Sequence, residues 1–334
     1  MAKSYKATEY MYSSARIRSL ETRIAGRDQI ARLAEAEDAQ AVVAMLPDFG
    51  FEPRYDSAGR LCREDMLMAV LKEGLDTVCE MECEGAVALF RYQYDCNNIK
   101  ALIKCAAGGR DAEGMLLELG SVTLPELKKA FAEKDYSAFP TNMAVAIAEA
   151  EEAFAATGDP QKIDFIIDRA AYRDMLAVAE ECGVPLTVKL TRARIDLVNV
   201  NVAVRLIRMK LGQRAVALLK EAFLEGGALE LEALCDAVTE GEDALSELLA
   251  YTSYSAMAGL IEAGATAGEL EKRADDIWIG IAREARYTPF GAEVAVGYVA
   301  ALEYEIKNIR IILAGKDAGL SSDIIRERLR ESYV

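Results

Sequence analysis

Apolar residues recur at helical spacing along nearly the whole chain, and only seven prolines interrupt its 334 residues. Alternating, strand-like runs are short, and the best of them covers residues 184–190. Capping side chains followed within two residues by proline mark helix starts at Thr123, Asp159 and Thr288. Glycines such as Gly315 follow periodic stretches, where helices commonly end. The pattern predicts an all-α protein of many medium-length helices.

One short pattern occurs three times: an acidic residue, an Asn three positions later, a β-branched residue, and a Gly further on. It begins at Asp95, Asp196 and Glu305, so the copies start 101 residues (95 to 196) and 109 residues (196 to 305) apart. A period of about a hundred residues predicts a triplicated unit, and therefore three similar helical domains. The predicted domains are residues 1–115, 116–222 and 223–334.

The acid and the Asn of each copy lie three positions apart, so on a helix they face the same side. A buried Asn without a partner costs about 1–3 kcal/mol, so we expect each Asn to have a hydrogen-bond partner. Two interpretations stay open: these residues hold helices or domains of the chain together, or they face a partner protein. The six repeat residues are Asp95, Asn98, Asp196, Asn199, Glu305 and Asn308.

Basic residues near the same helices are candidates for contacts with acidic surfaces of a partner. The alternative is a solvated helix face, where a surface ion pair contributes only about 0–1 kcal/mol. The six candidates are Lys100, Lys104, Arg205, Arg208, Lys307 and Arg310.

The chain contains no histidine, 39 Lys and Arg, and 55 Asp and Glu. Without histidine, Ser-His-Asp and Cys-His nucleophilic sites and His-ligated zinc or haem are excluded. The net charge of -16 argues against a protein that coats nucleic acid. Residues 221–271 hold twelve acids and no Lys or Arg, which predicts an acidic outer surface on the third domain. Seven scattered cysteines are typical of reduced thiols in the cytosol.

A search for catalytic motifs finds no nucleotide-binding loop, because Gly315 precedes a lysine but lacks the required glycine upstream. Asp275 and Asp276 lack a third spaced acid, so we interpret them as exposed charge rather than a magnesium site. Cys79 and Cys83 lack a histidine or a second cysteine pair, so zinc is not expected. We therefore predict no catalytic residue, no metal and no cofactor. No segment reaches the roughly 18 apolar residues of a membrane span.

The order of several segments resembles the C subunit of V-type and A-type rotary ATPases, whose eukaryotic relative is the d subunit. The matching segments extend from about residue 5 to residue 330. They include YMYSSARIRSLE, YDCNNIKALIKC, GSVTLPELKKAF, RARIDLVNVNVAVRLIRMKLG and TPFGAEVAVGYVAALEYEIKN. Residues 35–75 depart from the family's pattern, which leaves the outer rim of the first domain without a specific expectation.

This resemblance implies a funnel of three similar helical domains that acts as a non-catalytic rotor subunit. It implies a socket, peripheral on the cytoplasmic face of the membrane, that couples the central axle to the rotor ring for ATP synthesis or hydrolysis. The implied partners are the central-axle subunits and the membrane rotor ring, with no nucleic acid and no direct nucleotide binding. Two alternatives are an all-α metal-dependent enzyme, which needs a spaced trio of acids, and a soluble helical scaffold, which needs repeats of about 30–50 residues.

Overall fold

The computed structural model describes residues 5–334, so the first four residues of the predicted first domain lie outside it. The described residues form α-helices joined by short loops and 3₁₀ turns, and they contain no β-strand beyond one isolated bridge between Tyr55 and Leu61. The all-α prediction is confirmed. The helices are α1 Met11–Glu21, α2 Arg27–Glu35, α3 Ala39–Met45, α4 Arg63–Glu80, α5 Glu84–Ala107, α6 Leu124–Glu133, α7 Thr141–Thr157, α8 Pro160–Cys182, α9 Pro185–Arg208, α10 Gln213–Ala222, α11 Leu231–Glu240, α12 Glu242–Ala250, α13 Ser255–Glu262, α14 Ala267–Ala282, α15 Ala292–Asp317 and α16 Ser322–Arg328.

Two of the predicted helix starts are confirmed by their caps. Glu126 accepts hydrogen bonds from the backbone N–H and the hydroxyl of Thr123 at the start of α6. Asp159 accepts the N–H of Gln161 at the start of α8, with proline at the first helical position. These side chains take up backbone groups that a helix terminus leaves without partners.

Residues 184–190, the best of the strand-like runs, lie at the start of α9, in agreement with the all-α prediction. Two local expectations are wrong. The helix expected to begin just after Thr288 does not begin there, because α15 begins only at Ala292. Gly315 lies inside α15, where an added Cβ would come within 2.6 Å of Ile325 Cγ1. This glycine lets α16 pack closely against α15 and does not end the helix.

The described chain forms two compact units. Unit 1 comprises residues 88–262, and unit 2 comprises residues 5–87 together with residues 263–334. The prediction of three similar domains is not decided by this division and stays a prediction.

In unit 1, α8 packs against α7 and α9, and α10 and α11 pack against α9 in turn. Helix α9 buries apolar side chains along its whole length, including Leu190, Ile195, Val200 and Leu206. Helices α11, α12 and α13 pack successively against one another. The core of unit 1 is therefore built around one long helix that carries the second copy of the repeat.

In unit 2, α15 is the central element, and it packs against α1, α2, α3, α4, α14 and α16. Eighteen of the 26 residues of α15 are buried. Trp278 on α14 stacks on Tyr304 of α15, with ring centroids 5.5 Å apart and an interplanar angle of 10°. The long helix with the third copy of the repeat thus forms the core of this unit.

Candidate functional site

The three repeated acid–Asn pairs lie on the long helices α5, α9 and α15, and all six side chains are buried. Each Asn side-chain amide binds both backbone groups of one downstream residue. It donates to that residue's carbonyl and accepts from its N–H, with N···O distances of 2.8–3.1 Å. We call the acid, the Asn and the backbone that they bind a joint. The pairs are Asn98 with Leu117 in joint 1, Asn199 with Leu224 in joint 2, and Asn308 with Arg330 in joint 3.

The carboxylates of joints 1 and 2 bind the backbone a few residues further along. Each accepts two successive N–H groups at 2.9–3.2 Å, and the next helix begins two residues after the second of them. A hydroxyl group also donates to each carboxylate, at 2.5 Å from Ser121 and 2.7 Å from Tyr254. The backbone donors are Ser121 and Val122 for Asp95, and Ala228 and Leu229 for Asp196.

A glycine precedes the bound N–H pair in both of these joints. A Cβ added to Gly120 would lie 2.1 Å from Asp95 Oδ1, and a Cβ added to Gly227 would lie 2.1 Å from Asp196 Oδ1. No side chain tolerates that distance, so the glycine allows the carboxylate to reach the backbone. Burial raises the pKa of Asp95, while the hydrogen bonds from Ser121 and Val122 oppose that rise.

Joint 3 uses a glutamate and a different donor. Glu305 accepts the backbone N–H of Ala25 at 2.7 Å, and α2 begins two residues after Ala25, as the next helix does in joints 1 and 2. Burial raises the pKa of Glu305 to about 7, and the Ala25 hydrogen bond opposes part of that rise. Joint 3 therefore holds a carboxyl group that titrates near neutral pH.

The expectation that each repeated Asn has a partner is confirmed, and the partner is backbone of the same chain. The loops that joints 1 and 2 bind, residues 117–122 and 224–229, could not be recognised from the sequence as partners of the repeat. Their one shared signal is a glycine, Gly120 or Gly227, whose connection with the acids becomes visible only in the fold.

Five of the six candidate basic residues form ion pairs within the chain. Lys100 binds Asp168 at 2.6 Å, which places both side chains in a cavity between α5, α8 and α9. Arg205 lines the same cavity, is exposed, and has no carboxylate within ion-pair distance among residues 5–334. The other pairs are Lys104 with Asp164, Arg208 with Glu242, Lys307 with Asp275, and Arg310 with Glu64.

The cavity between α5, α8 and α9 has a volume of about 490 Å³ and lies in unit 1. Gln93 and Asn97 on α5 are exposed there, and Arg205 adds the one cation of the lining that has no carboxylate partner among the described residues. Cys96 also faces the cavity, with its Sγ 3.2 Å from Asp168 Oδ1, and burial raises the pKa of its thiol. The thiol is therefore protonated at neutral pH, and the cavity is suited to polar contacts rather than to nucleophilic chemistry.

The interpretation of Asp275 and Asp276 as exposed charge is wrong, because both are buried. Asp275 binds Lys307 at 2.9 Å and Arg330 at 2.8 Å, and Asp276 binds Lys272 at 2.7 Å. These cations compensate the burial of the two carboxylates, which a sequence reading cannot foresee.

Among residues 5–334, no group of three or more Cys, Asp or Glu side chains is placed to hold a metal ion. Cys79 and Cys83 are not joined by a disulfide. Over the same residues, none of the helices combines the length and the apolar character that crossing a bilayer requires.

The chain is similar to one known protein family and to several individual proteins. The ATP synthase (C/AC39) subunit family matches residues 13–328. The C subunit of the V-type sodium ATPase of Enterococcus hirae is 25% identical over 249 residues, which cover 74% of this chain and 75% of that protein. The C subunit of the A-type ATP synthase of Thermococcus kodakarensis is 22% identical over 341 residues, which cover 98% of this chain and 92% of that protein. The C subunit of the V-type ATP synthase of Thermus thermophilus is 23% identical over 252 residues, covering 74% and 75% of the two chains.

The family match extends over nearly all of the described helices, and it includes joints 1 and 2, the acid and the Asn of joint 3, and the cavity between α5, α8 and α9. The chain therefore belongs to the ATP synthase (C/AC39) subunit family.

Proposed function

We propose that this chain is a non-catalytic rotor subunit of a V/A-type ATPase, a socket that couples the central axle to the membrane rotor ring. The observation that carries the proposal is the family match over residues 13–328. The relatives are named as C subunits of V-type and A-type enzymes, and their matches cover at least 74% of this chain. The socket turns with the ring and transmits torque to the axle, so it supports ATP synthesis or hydrolysis without binding nucleotide.

Rigidity is the property that such a part needs, and the joints supply it. Joints 1 and 2 each tie a long helix to one loop through a buried Asn and a buried acid, so the loop cannot swing without breaking several hydrogen bonds. Joint 3 ties α15 to two segments, since Asn308 binds Arg330 and Glu305 binds Ala25. The proposal includes three similar helical domains arranged as a funnel, divided near residues 115 and 222. The loops bound by joints 1 and 2, residues 117–122 and 224–229, lie close to these divisions.

We assign the axle contact to the cavity between α5, α8 and α9. Arg205 has no carboxylate partner among the residues that the structure describes, so it is available to an acidic side chain of the axle foot. Gln93 and Asn97 add exposed amides from α5. The proposal puts the ring contact on another face, with the protein held at the cytoplasmic side of the membrane.

The test is to tag the chain, isolate it from native membranes in mild detergent, and identify its companions by mass spectrometry. Head, axle and ring subunits are expected in fixed proportion. Arg205→Glu is expected to lose the axle subunits while the ring subunits remain. The matched control is Arg192→Glu on the same helix, whose arginine already pairs with Glu180. Recovery of the chain alone from the soluble fraction would refute the socket.

A further inference from the structure

A second cavity in unit 1 has no role in the proposed socket. It lies between the end of α9, the whole of α10 and the end of α11, and its volume is about 730 Å³. We call it the α10 groove. Lys210 and Lys220 are exposed at its rim, and its lining includes no acidic residue. Its apolar lining residues are Leu206, Ile207, Leu211, Ala215, Val216, Ala217 and Val238.

The α9 and α10 walls of the groove lie in a basic stretch of the chain, whereas the end of α11 belongs to the acidic residues 221–271. Residues 197–220 contain five Lys or Arg and no acid. Arg208 is neutralised by Glu242 at 2.7 Å. In the described part of the chain, Lys210, Arg214 and Lys220 have no carboxylate within ion-pair distance, and all three are exposed. This contrasts with the pairing found for most of the candidate basic residues, and it leaves positive charge at the rim of the groove that the fold itself does not neutralise.

The walls of the groove restrict the backbone of any occupant. They are formed by helices, whose N–H and C=O groups are bonded within each helix, and no strand edge exists in residues 5–334. An extended peptide would therefore find no backbone partners along most of the groove. A helix satisfies its own backbone, and an apolar stripe at positions i, i+3, i+4 and i+7 fits an apolar floor.

We propose that the α10 groove binds an amphipathic helix of a partner protein, with acidic side chains flanking its apolar stripe. The apolar stripe covers the floor formed by residues such as Leu211 and Val216, and removing this surface from water drives binding. The flanking carboxylates meet Lys210 and Lys220, which orient the helix and accelerate its association. This inference does not depend on the rotary function.

A designed peptide tests the groove on the isolated full-length chain. The probe is a fluorescent helical peptide of about 18 residues, or five turns, with leucine on one stripe and glutamate beside it. One control peptide has the same composition in scrambled order, and a second carries lysine in place of glutamate. Fluorescence anisotropy is expected to show that the probe binds and that neither control peptide does. The affinity for the probe is expected to fall as the salt concentration rises from about 0.05 to 0.2 M. No binding up to ~1 mM, or equal binding of the scrambled peptide, would overturn the proposal.

Variants locate the bound probe. Lys210→Glu combined with Lys220→Glu, and separately Ala217→Glu, are expected to weaken binding by about tenfold or more. The matched control is Lys129→Glu combined with Lys134→Glu, because Lys134 and Lys210 share the same left-handed backbone with φ 54°. The control is expected to bind the probe as the unmodified chain does. Equal weakening in groove and control variants, tighter binding of the lysine peptide, or concentration-dependent self-association that blocks the probe would each refute the assignment. Circular dichroism checks that every variant is folded.

Discussion

Replacement of Gly227 by alanine tests whether joint 2 works as described. The new Cβ would lie 2.1 Å from Asp196 Oδ1, so the carboxylate must withdraw from the backbone. Asp196 accepts hydrogen bonds from Ala228, Leu229 and Tyr254, and a hydrogen bond to a charged group contributes about 1.5–3 kcal/mol. Loss of the two backbone bonds is expected to lower the free energy of unfolding by about 3–6 kcal/mol.

Gly259→Ala is the matched control, because Gly259 lies within α13 and an added Cβ there meets nothing within 4 Å. The same chemical change is expected to raise the free energy of unfolding by about 0.5–1 kcal/mol. Urea unfolding followed by far-UV circular dichroism measures both. Faster hydrogen exchange of the Ala228 and Leu229 amides should accompany only Gly227→Ala. A change of the same sign in the two variants would refute the reasoning.

A double-mutant cycle separates the clash from other effects of the new methyl group. In an Asp196→Ala background the carboxylate is absent, and the Cβ at position 227 then meets Ile195 Cγ2 at 3.1 Å, a contact that a shift of a few tenths of an ångström relieves. Gly227→Ala is then expected to cost less than about 1 kcal/mol, which gives a coupling energy of several kcal/mol between the two positions. Additive effects would show that the alanine acts elsewhere.

Two further predictions concern unit 2, where the single tryptophan, Trp278, reports unfolding by its fluorescence. Because the pKa of Glu305 is raised from 4.5 to about 7, the folded state binds more protons than the unfolded state between these values, and stability falls as pH rises through that window. Glu305→Gln, which keeps an acceptor for Ala25, is expected to leave the free energy of unfolding unchanged near pH 4 and to raise it by about 3 kcal/mol at pH 8; an unchanged pH profile would contradict this. Arg330→Ala leaves the buried Asp275 without its 2.8 Å partner and is expected to cost about 3 kcal/mol in urea unfolding, and a loss below about 1 kcal/mol would show that the remaining lysine compensates fully.

The repeated acid–Asn pattern could be predicted from the sequence because its spacing of three is set within one helix turn. The backbone that the three Asn side chains bind could not be predicted, because the bound residues lie 19, 25 and 22 positions downstream in loops without a common motif. Sequence signals predicted the structure correctly where the interacting residues are close in sequence, as in the cap of Thr123 and Glu126. The prediction that Gly315 ends a helix was wrong, because this glycine lies inside α15 and makes room for Ile325.

The sequence also did not reveal which charged side chains form ion pairs. Lys104 and Asp164 are 60 residues apart, and only the packing of α5 beside α8 brings them together. The burial of Asp275 depends in the same way on Arg330, 55 residues later. For the candidate site, the sequence therefore identified Arg205 as one of six equivalent cations, and the structure distinguishes it by its missing partner.

The three Asn side chains bind backbone atoms of Leu117, Leu224 and Arg330, so these hydrogen bonds do not depend on which side chain the bound residue carries. The segments from each Asn to the residue that it binds already differ by up to six residues in length, and the segment of joint 2 includes α10. Substitutions and insertions can therefore accumulate in these segments without loosening the helices, provided that the acid, the Asn and, in joints 1 and 2, the glycine before the bound N–H pair are kept. Such a chain is free to diverge in sequence while its mechanical parts stay in place, and it offers protein engineers three sites at which new segments can be inserted.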